Sequence, residues 1–301
     1  MKGRRGRLVM IIALLAGLAA LALAGYRDNP ESTTTTHTSA VHQTATASTA
    51  PSSTTTSSIA ATTTTSGLPL ALPASARPLR VPILMYHYVD ATPPKVGRYA
   101  AGLTVRTNDF QAQMDYLAAN GYHTVTLDQI YAAMAGGAAL PNKPVAVTFD
   151  DGGTDNYTVA FPILRGHGFV ATFFVITAFV GGANCLNWDQ ARVMQEAGMS
   201  IESHTVHHFD LRTLNPSQLA SEMVESRRTI KSILGADANV VAYPSGEENA
   251  VVERAAWEAG YLMAVGTQPG DRLNPGSVFE WPRIRVSPGT GIRTFASIVK
   301  Y

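Results

Sequence analysis

The segment Val145-Ala146-Val147-Thr148-Phe149-Asp150-Asp151-Gly152 is an apolar run that ends in two adjacent carboxylates. Further along the chain, His204-Thr205-Val206-His207-His208 offers imidazoles spaced three and four residues apart. One carboxylate with two imidazoles is a ligand set that zinc accepts, with a coordination position left for water. The second carboxylate is then free to act as a base on that water. The two segments together predict a metal-dependent hydrolase.

Strand-like and helix-like runs alternate from about residue 80 to the end of the chain. Apolar runs at 81–86 and 145–149 predict strands, whereas apolar residues at helical spacing in 109–120 and 216–234 predict helices. This alternation indicates an α/β fold with parallel strands and helices outside them. In a domain of this size it favours a distorted (β/α) barrel of about seven strands over an open sheet. In such barrels the chemistry lies at the C-terminal ends of the strands, where both motif segments fall.

The first 24 residues have the composition of a segment that directs export. Basic residues cluster within 1–7, and an almost unbroken apolar run follows at 8–24. This pattern predicts either a cleaved signal peptide or an uncleaved membrane anchor. Both alternatives carry the rest of the chain out of the cytoplasm, so we expect a secreted or cell-surface protein of a bacterial envelope.

Residues 25–79 are predicted to form a disordered linker. Between residues 32 and 66, 23 of 35 positions are Ser or Thr and none is Asp, Glu, Lys or Arg. Such a segment cannot bury enough apolar surface to offset the entropy of ordering it. It is either a tether, of a kind that is often O-glycosylated, or a linker with no further role. The folded catalytic domain is expected at 80–301.

Charge and cysteine content exclude two classes of protein. Residues 1–24 carry four of the 23 Lys and Arg and none of the 22 Asp and Glu, so the remainder has 19 bases against 22 acids. That balance gives no electrostatic case for nucleic acid as a partner. Cys185 is the sole cysteine, so no intrachain disulfide forms and the hydrophobic core must stabilise the domain. We expect a monomer.

The chain resembles the polysaccharide deacetylase family (carbohydrate esterase family four), whose catalytic domain is a distorted (β/α) barrel. The resemblance covers about residues 80–301. It rests on Thr148-Phe149-Asp150-Asp151, on Ser203-His204-Thr205-x-x-His208 and, more weakly, on Tyr243-Pro244-Ser245-Gly246. It implies a hydrolase that removes N-acetyl groups from an N-acetylglucosamine-containing polysaccharide, of the peptidoglycan or poly-N-acetylglucosamine type, and releases acetate.

The resemblance also implies a role for each residue of the two motifs. The first acid of the pair, Asp150, is the general base, and the second, Asp151, is a metal ligand. The family's histidine spacing selects His204 and His208 as the other ligands of a divalent metal, in the first place Zn²⁺. His207 is the competing partner, since a residue three positions away can also face one site, but we interpret it as a neighbour on the loop.

The third motif departs from the commonest family pattern. The segment Ala242-Tyr243-Pro244-Ser245-Gly246 lacks the arginine that would hold the catalytic base, and Ser245 replaces the aromatic residue before the glycine. A backbone N–H at Ser245 can still serve as the oxyanion donor, because that role needs no particular side chain. The usual late histidine is also absent, since no histidine follows His208.

The branch of the family similar to poly-N-acetylglucosamine deacetylases suggests replacements for both missing groups. In that branch a Tyr-His pair on the first strand supplies the general acid, which selects His87 after Tyr86; the alternative is a structural histidine at a strand end. The late segment Trp281-Pro282-Arg283-Ile284-Arg285 offers Arg283 as the charge beside Asp150. Alternatively, both arginines are surface charges that flank the last strand.

Two other functions remain compatible with the sequence. The same site could cleave an O-acetyl ester on a glycan such as xylan, and only product analysis separates an ester from an amide. The lost arginine and late histidine also fit a non-catalytic glycan-binding domain of the same fold, which would hold no metal.

Overall fold

The computed structural model describes residues 71–92 and 100–300. The predicted signal or anchor segment at 1–24, and the predicted linker up to residue 70, lie outside these residues. Within the described ranges, no helix combines the length and the apolar character needed to cross a membrane.

Short strands and helices alternate along the described chain. The strands are β1 Leu79–Arg80, β2 Ile83–Tyr86, β3 Tyr88–Val89, β4 Thr104–Val105, β5 His123–Thr124, β6 Pro144–Phe149, β7 Thr172–Val175, β8 Ser200–Ser203, β9 Val240–Ala242, β10 Met263–Val265, β11 Arg272–Leu273 and β12 Ile284–Arg285. The helices are α1 Ala100–Leu103, α2 Thr107–Ala119, α3 Leu127–Met134, α4 Phe161–Gly166, α5 Trp188–Glu196, α6 Pro216–Leu234, α7 Ala250–Glu258 and α8 Ile292–Ile298.

The main sheet is parallel and curled, as predicted. Its strand order is β10-β9-β8-β7-β6-β2-β12, with β5 paired to β6 beside this path. A parallel bridge between Val265 and Trp281 joins the segment that leads into β12 to the opposite edge strand, β10. The predicted distorted barrel of about seven strands is confirmed.

Local sequence signals account for the helix boundaries. Thr126, Asn187 and Asn215 each accept a hydrogen bond from the backbone of a glutamine three residues later, whose side chain bonds back to the cap. These capping boxes satisfy N–H groups that the first helical turn leaves free. The sequence of residues 157–165 predicts a helix, but this segment begins as a π-helical turn at Asn156–Ala160 and continues as α4. Pro162 has no N–H to donate to the carbonyl four residues earlier, so a regular helix cannot run through it unbroken.

Two apolar layers pack on the two faces of the sheet. One lies between the strands and the outer helices and includes Val147, Phe149 and Met223. The other fills the barrel interior, and its members Ala146 and Phe174 pack with residues of α3, which covers the end of the barrel opposite the strands' C-termini. The side chains of β6 alternate between the two layers, as a strand's period of two requires.

One packing prediction is wrong. A tryptophan in a predicted helix of this domain is expected to pack between the helices and the barrel, but Trp257 is 59% exposed. The buried face of α7 carries Val252 and Ala256, four residues apart, and the next position along the helix turns away from that face.

Candidate active site

A pocket of about 980 Å³ opens at the C-terminal ends of the parallel strands. His87 follows β2, Asp150 and Asp151 follow β6, and His204 follows β8. All four line the pocket, as do His208 and Ser245. Because parallel strands bring their C-terminal ends to one edge, residues far apart in the chain meet there.

Asp151, His204 and His208 form a cluster that could hold a metal ion. One ligand atom from each residue lies within 4.8 Å of the others. The Nε2 atoms of His204 and His208 are 3.6 Å and 3.8 Å from the same oxygen, Oδ1 of Asp151. The donor set of one carboxylate and two imidazoles fits zinc or a similar divalent ion and leaves coordination positions open.

His204 is oriented for this role by the backbone of the neighbouring strand. Its Nδ1 lies 2.7 Å from the carbonyl oxygen of Ala242, and a carbonyl only accepts, so Nδ1 carries the hydrogen and Nε2 keeps its lone pair. Burial lowers the pKa of His204 to about 4, against the opposing charge of Asp150. The ring is therefore neutral at neutral pH, as a metal ligand must be.

Tyr88 orients Asp151. Its hydroxyl donates to Oδ2 of Asp151 at 2.9 Å, which leaves Oδ1 directed at the two imidazoles. Burial and the charge of Asp151 raise the pKa of Tyr88, so the hydroxyl stays protonated and remains a donor. The two carboxylate oxygens thus have separate partners.

Glu222 of α6 stabilises the loop that carries both predicted histidine ligands. Its Oε2 accepts hydrogen bonds from the backbone N–H groups of Val206 and His207, each at 2.9 Å. Its Oε1 lies 2.7 Å from Nδ1 of His207. The His207 ring is therefore engaged with Glu222 and stacks on Phe209, and it stays outside the three-residue metal cluster.

Asp150 lies beside the metal cluster and is bound by Arg283. Nη1 and Nη2 of the arginine donate to Oδ1 and Oδ2, each at 2.7 Å, and both side chains are buried. Burial alone would raise the pKa of Asp150, but the charge of Arg283, helped by His204, outweighs it and holds this pKa well below its ordinary value. The structure thus brings Arg283 to Asp150 and does not leave it on the surface.

His87 faces Asp150 from β2. Its Nε2 is 3.9 Å from Oδ2 of Asp150, and the side chain is largely buried. Burial lowers the pKa of His87, although the charges of Asp150 and Asp151 oppose the change. The imidazole therefore lines the pocket next to this carboxylate.

Ser245 lines the pocket in a left-handed backbone conformation, with φ at 57°. The turn continues through Gly246, also at positive φ, where a Cβ atom would lie 2.1 Å from Oγ1 of Thr267. Only glycine fits this position, so the Pro-Ser-Gly turn presents its backbone to the pocket in one conformation.

Backbone strain is concentrated around this pocket. Six non-glycine residues among those described have positive φ: Lys143, Asp151, Asn184, Thr205, His208 and Ser245. Four of them line the pocket, and Thr205 lies between the two histidine ligands. Such conformations cost about 1–3 kcal/mol each and persist where the surroundings enforce them, which is typical of functional sites.

The sequence reasoning missed Tyr88 and Glu222. Nothing in the sequence marked Tyr88, because a hydroxyl that reaches a carboxylate on another strand leaves no local pattern. Glu222 did leave a signal, since it occupies the buried face of α6 together with Leu219, Met223 and Ser226. An acid on an apolar stripe must find partners, and here these are the N–H groups of the histidine loop.

The comparisons with known proteins identify one family. The family described as polysaccharide deacetylase matches residues 137–264, which contain the three metal-cluster residues. The chain is 34% identical to YxkH of Bacillus subtilis strain 168, a protein named among the polysaccharide deacetylases; the match covers 74% of this chain and 77% of that protein. It is 24% identical to the poly-β-1,6-N-acetyl-D-glucosamine N-deacetylase of Escherichia coli K12, over 64% of this chain but 35% of the relative.

A comparison with solved structures also finds a deacetylase. The deacetylase PplD of Streptococcus pyogenes, in complex with acetate, superimposes with a TM-score of 0.69 at 30% sequence identity. The match covers 75% of this chain and 100% of that chain. The fold of this chain therefore matches that of a deacetylase whose structure contains bound acetate.

Proposed function

The chain belongs to the polysaccharide deacetylase family, and from this premise we propose that it is a metal-dependent N-deacetylase of an N-acetylglucosamine-containing polysaccharide. The observation that carries the proposal is the cluster of Asp151, His204 and His208 with an ionised carboxylate, Asp150, next to it. A ligand set and a separate base are what hydrolysis of an acetamide by water requires.

Asp151 through Oδ1 and the two histidines through Nε2 would hold the ion, Zn²⁺ in the first place. When bound, a divalent ion supplies a Lewis acid that polarises the acetyl carbonyl and lowers the pKa of water. Tyr88 and the carbonyl of Ala242 fix the orientation of these side chains. Such outer partners typically change metal affinity by about 10–100-fold.

Asp150 takes the proton of the attacking water in this proposal. Arg283 keeps the carboxylate ionised at neutral pH and fixes its plane with two hydrogen bonds. The N–H of Ser245, at the pocket wall, donates to the carbonyl oxygen as negative charge develops on it. These residues are already held in place in the folded protein, so the site needs little rearrangement when negative charge develops on the carbonyl oxygen.

His87 delivers a proton to the departing amine. Its Nε2 lies 3.9 Å from Oδ2 of Asp150, so the proton that Asp150 has taken from water passes to His87 and from there to the amine. Burial lowers the pKa of His87, so a proton on its ring is given up more readily than by an exposed histidine. The products are acetate and a glucosamine residue within the polymer.

The substrate is proposed from the site and from the relatives together. The relative from Escherichia coli acts on poly-β-1,6-N-acetyl-D-glucosamine, and peptidoglycan offers the same N-acetylated sugar. The N-terminal segment and the Ser/Thr-rich stretch support export of the protein and a tether at the cell envelope, with the catalytic domain at 80–301. We propose that the domain acts there as a monomer.

Acetate release from a panel of glycans, with and without a chelator, tests the proposed function. The panel contains peptidoglycan strands, poly-N-acetylglucosamine and an O-acetylated xylan. We expect acetate from the first two, its loss in chelator, and its loss in Asp150→Asn with metal still bound. Turnover unchanged in that variant overturns the assignment of the base. Release from the xylan alone identifies an ester hydrolase, and the absence of release together with the absence of bound metal identifies a glycan-binding domain.

A further inference from the structure

Arg285 stands at the mouth of the pocket, two residues after the arginine that holds Asp150. Arg283 lies immediately before β12, and Arg285 is the last residue of that strand. Arg283 is buried beneath Asp150, whereas Arg285 is exposed and lines the pocket. The parallel register places Arg285 opposite Met85, two residues before His87.

This guanidinium has no carboxylate partner among the described residues. Each carboxylate near the reacting centre already has its own partners: Asp150 binds Arg283, and Asp151 faces Tyr88 and the two histidines. Arg285 also lies close enough to His87 for its charge to act on that ring. Burial is the main cause of the lowered pKa of His87, and the charge of Arg285 adds to it.

We propose that Arg285 forms a subsite for an anionic substituent of the glycan, a carboxylate or a phosphate carried by the sugar that is deacetylated or by its neighbour. The inference rests on the proposed function and names the substrate class, an acidic glycan in preference to a neutral one. A guanidinium presents a planar fork of donors that matches both anions. A sugar whose acetamide lies between Asp150 and the metal cluster places its other substituents at the pocket mouth, beside this arginine.

The experiment compares matched acidic and neutral glycans. One pair is a strand of alternating N-acetylglucosamine and N-acetylmuramic acid, with its lactyl carboxylates free or methyl-esterified. The other pair is an N-acetylglucosamine oligomer with or without a 6-phosphate. The ratio of kcat/KM between the members of a pair is measured for the wild-type enzyme, for Arg285→Gln and for Arg285→Lys. Arg272→Gln, an exposed arginine on β11, is the matched control.

We expect the wild-type enzyme to favour the acidic member of at least one pair by about tenfold or more, the size of one charge-assisted hydrogen bond. The pair that shows the preference identifies the anion. Arg285→Gln brings the ratio close to one, Arg285→Lys keeps part of it, and Arg272→Gln keeps all of it. An altered pKa of His87 affects both members of a pair equally, so the ratio isolates recognition of the anion.

Two results overturn the inference: equal kcat/KM for both members of each pair, or an acidic preference that survives in Arg285→Gln. In either case acetate is still released, so the proposed function stands. If no glycan releases acetate, the proposed function fails, and calorimetric binding of the same pairs to the wild-type protein tests the subsite independently. Equal affinity for the acidic and neutral members then overturns it.

Discussion

Arg283 binds Asp150 through both terminal nitrogens of its guanidinium, each 2.7 Å from a different carboxylate oxygen. The family's commonest pattern places this charge in the third motif, where the chain has Ala242 and no arginine. Because every strand of a parallel barrel ends at one mouth, an arginine from the segment before β12 can reach the same carboxylate. The charge is thus present at the site, although it comes from a different segment of the chain.

Arg283→Lys keeps the positive charge but removes the paired hydrogen bonds. We expect the pKa of Asp150 to rise, because a lysine offsets the effect of burial on this pKa less strongly than the doubly hydrogen-bonded arginine does. A base acts only when deprotonated, so activity is lost as the pH falls through this higher pKa, and the acid limb of the kcat profile moves to higher pH. At neutral pH kcat should fall by about tenfold or more.

The control for this variant is Arg272→Lys on β11, outside the pocket lining. Melting temperatures are measured for both, since disturbing a buried ion pair also destabilises the fold. An acid limb at the wild-type pH in folded Arg283→Lys would show that this arginine does not set the ionisation of Asp150.

Glu222→Gln tests the support of the histidine loop. Glutamine keeps one acceptor but puts an NH₂ group where the carboxylate accepted from Val206, His207 or the imidazole of His207. The loop carries two residues in left-handed conformations, Thr205 and His208, so it relaxes when this support weakens. We expect zinc affinity, measured by competition with a chelator, to fall by about 10–100-fold.

Glu225→Gln on the same helix is the comparison, because its carboxylate pairs at the surface with Arg228. Its zinc affinity should equal that of the wild-type protein. If Glu222→Gln binds zinc as tightly as the wild type, the hydrogen bonds to the loop serve stability alone.

The assignment of the histidines is tested by removing them one at a time. His204→Ala and His208→Ala each take away a predicted ligand, so zinc content after dialysis and acetate release should both be lost. His207→Ala removes a ring that faces Glu222, so zinc should be retained. Metal analysis of the three folded variants decides between the two spacings. Loss of zinc in His207→Ala with retention in His208→Ala would reverse the assignment.

The alternation of strands and helices, and the two motifs at strand ends, could be predicted because apolar periodicity and capping residues are local signals. The capping box at Thr126 and the helix Pro216–Leu234 follow directly from such signals. The two-residue strands β1, β3, β4 and β11 could not be predicted, since their pairing depends on contacts between distant segments and two residues have no periodicity.

The same distinction applies within the site. Asp151, His204 and His208 are specified by short motifs, whereas the contact between Arg283 and Asp150 joins residues 133 positions apart. From the sequence alone, Arg283 could equally be a surface charge or the buried partner of Asp150. The left-handed φ of Asp151, Thr205, His208 and Ser245 was also unpredictable, because tertiary contacts impose it on residues that would otherwise avoid it.

At the opposite end of the barrel, two carboxylates are buried close together. Glu202 of β8 is 1% exposed and accepts hydrogen bonds from Ser200 and from the N–H of Val240. Asp128 of α3 accepts from Asn239 at one oxygen, while its Oδ1 is buried without a hydrogen-bond partner among the described residues. Burial raises the pKa of Asp128 to about 6, and burial together with the charge of Asp128 raises the pKa of Glu202.

Asp128→Asn should therefore stabilise the protein, and only above mildly acidic pH. The folded state holds the Asp128 proton up to about pH 6, whereas the unfolded chain releases it near 3.8. The stability that the protonated Asp128 contributes is therefore fully present below pH 3.8 and is lost as the pH rises through about 6. The melting temperature of Asp128→Asn should match the wild type near pH 4 and exceed it by about 2–5 °C at pH 7.5.

Asp189→Asn is the matched control, because Asp189 holds the same position after the cap of α5 but is exposed. Its melting temperature should not rise relative to the wild type as the pH rises. If the difference in melting temperature between Asp128→Asn and the wild type stays constant from pH 4 to pH 7.5, folding does not raise the pKa of Asp128.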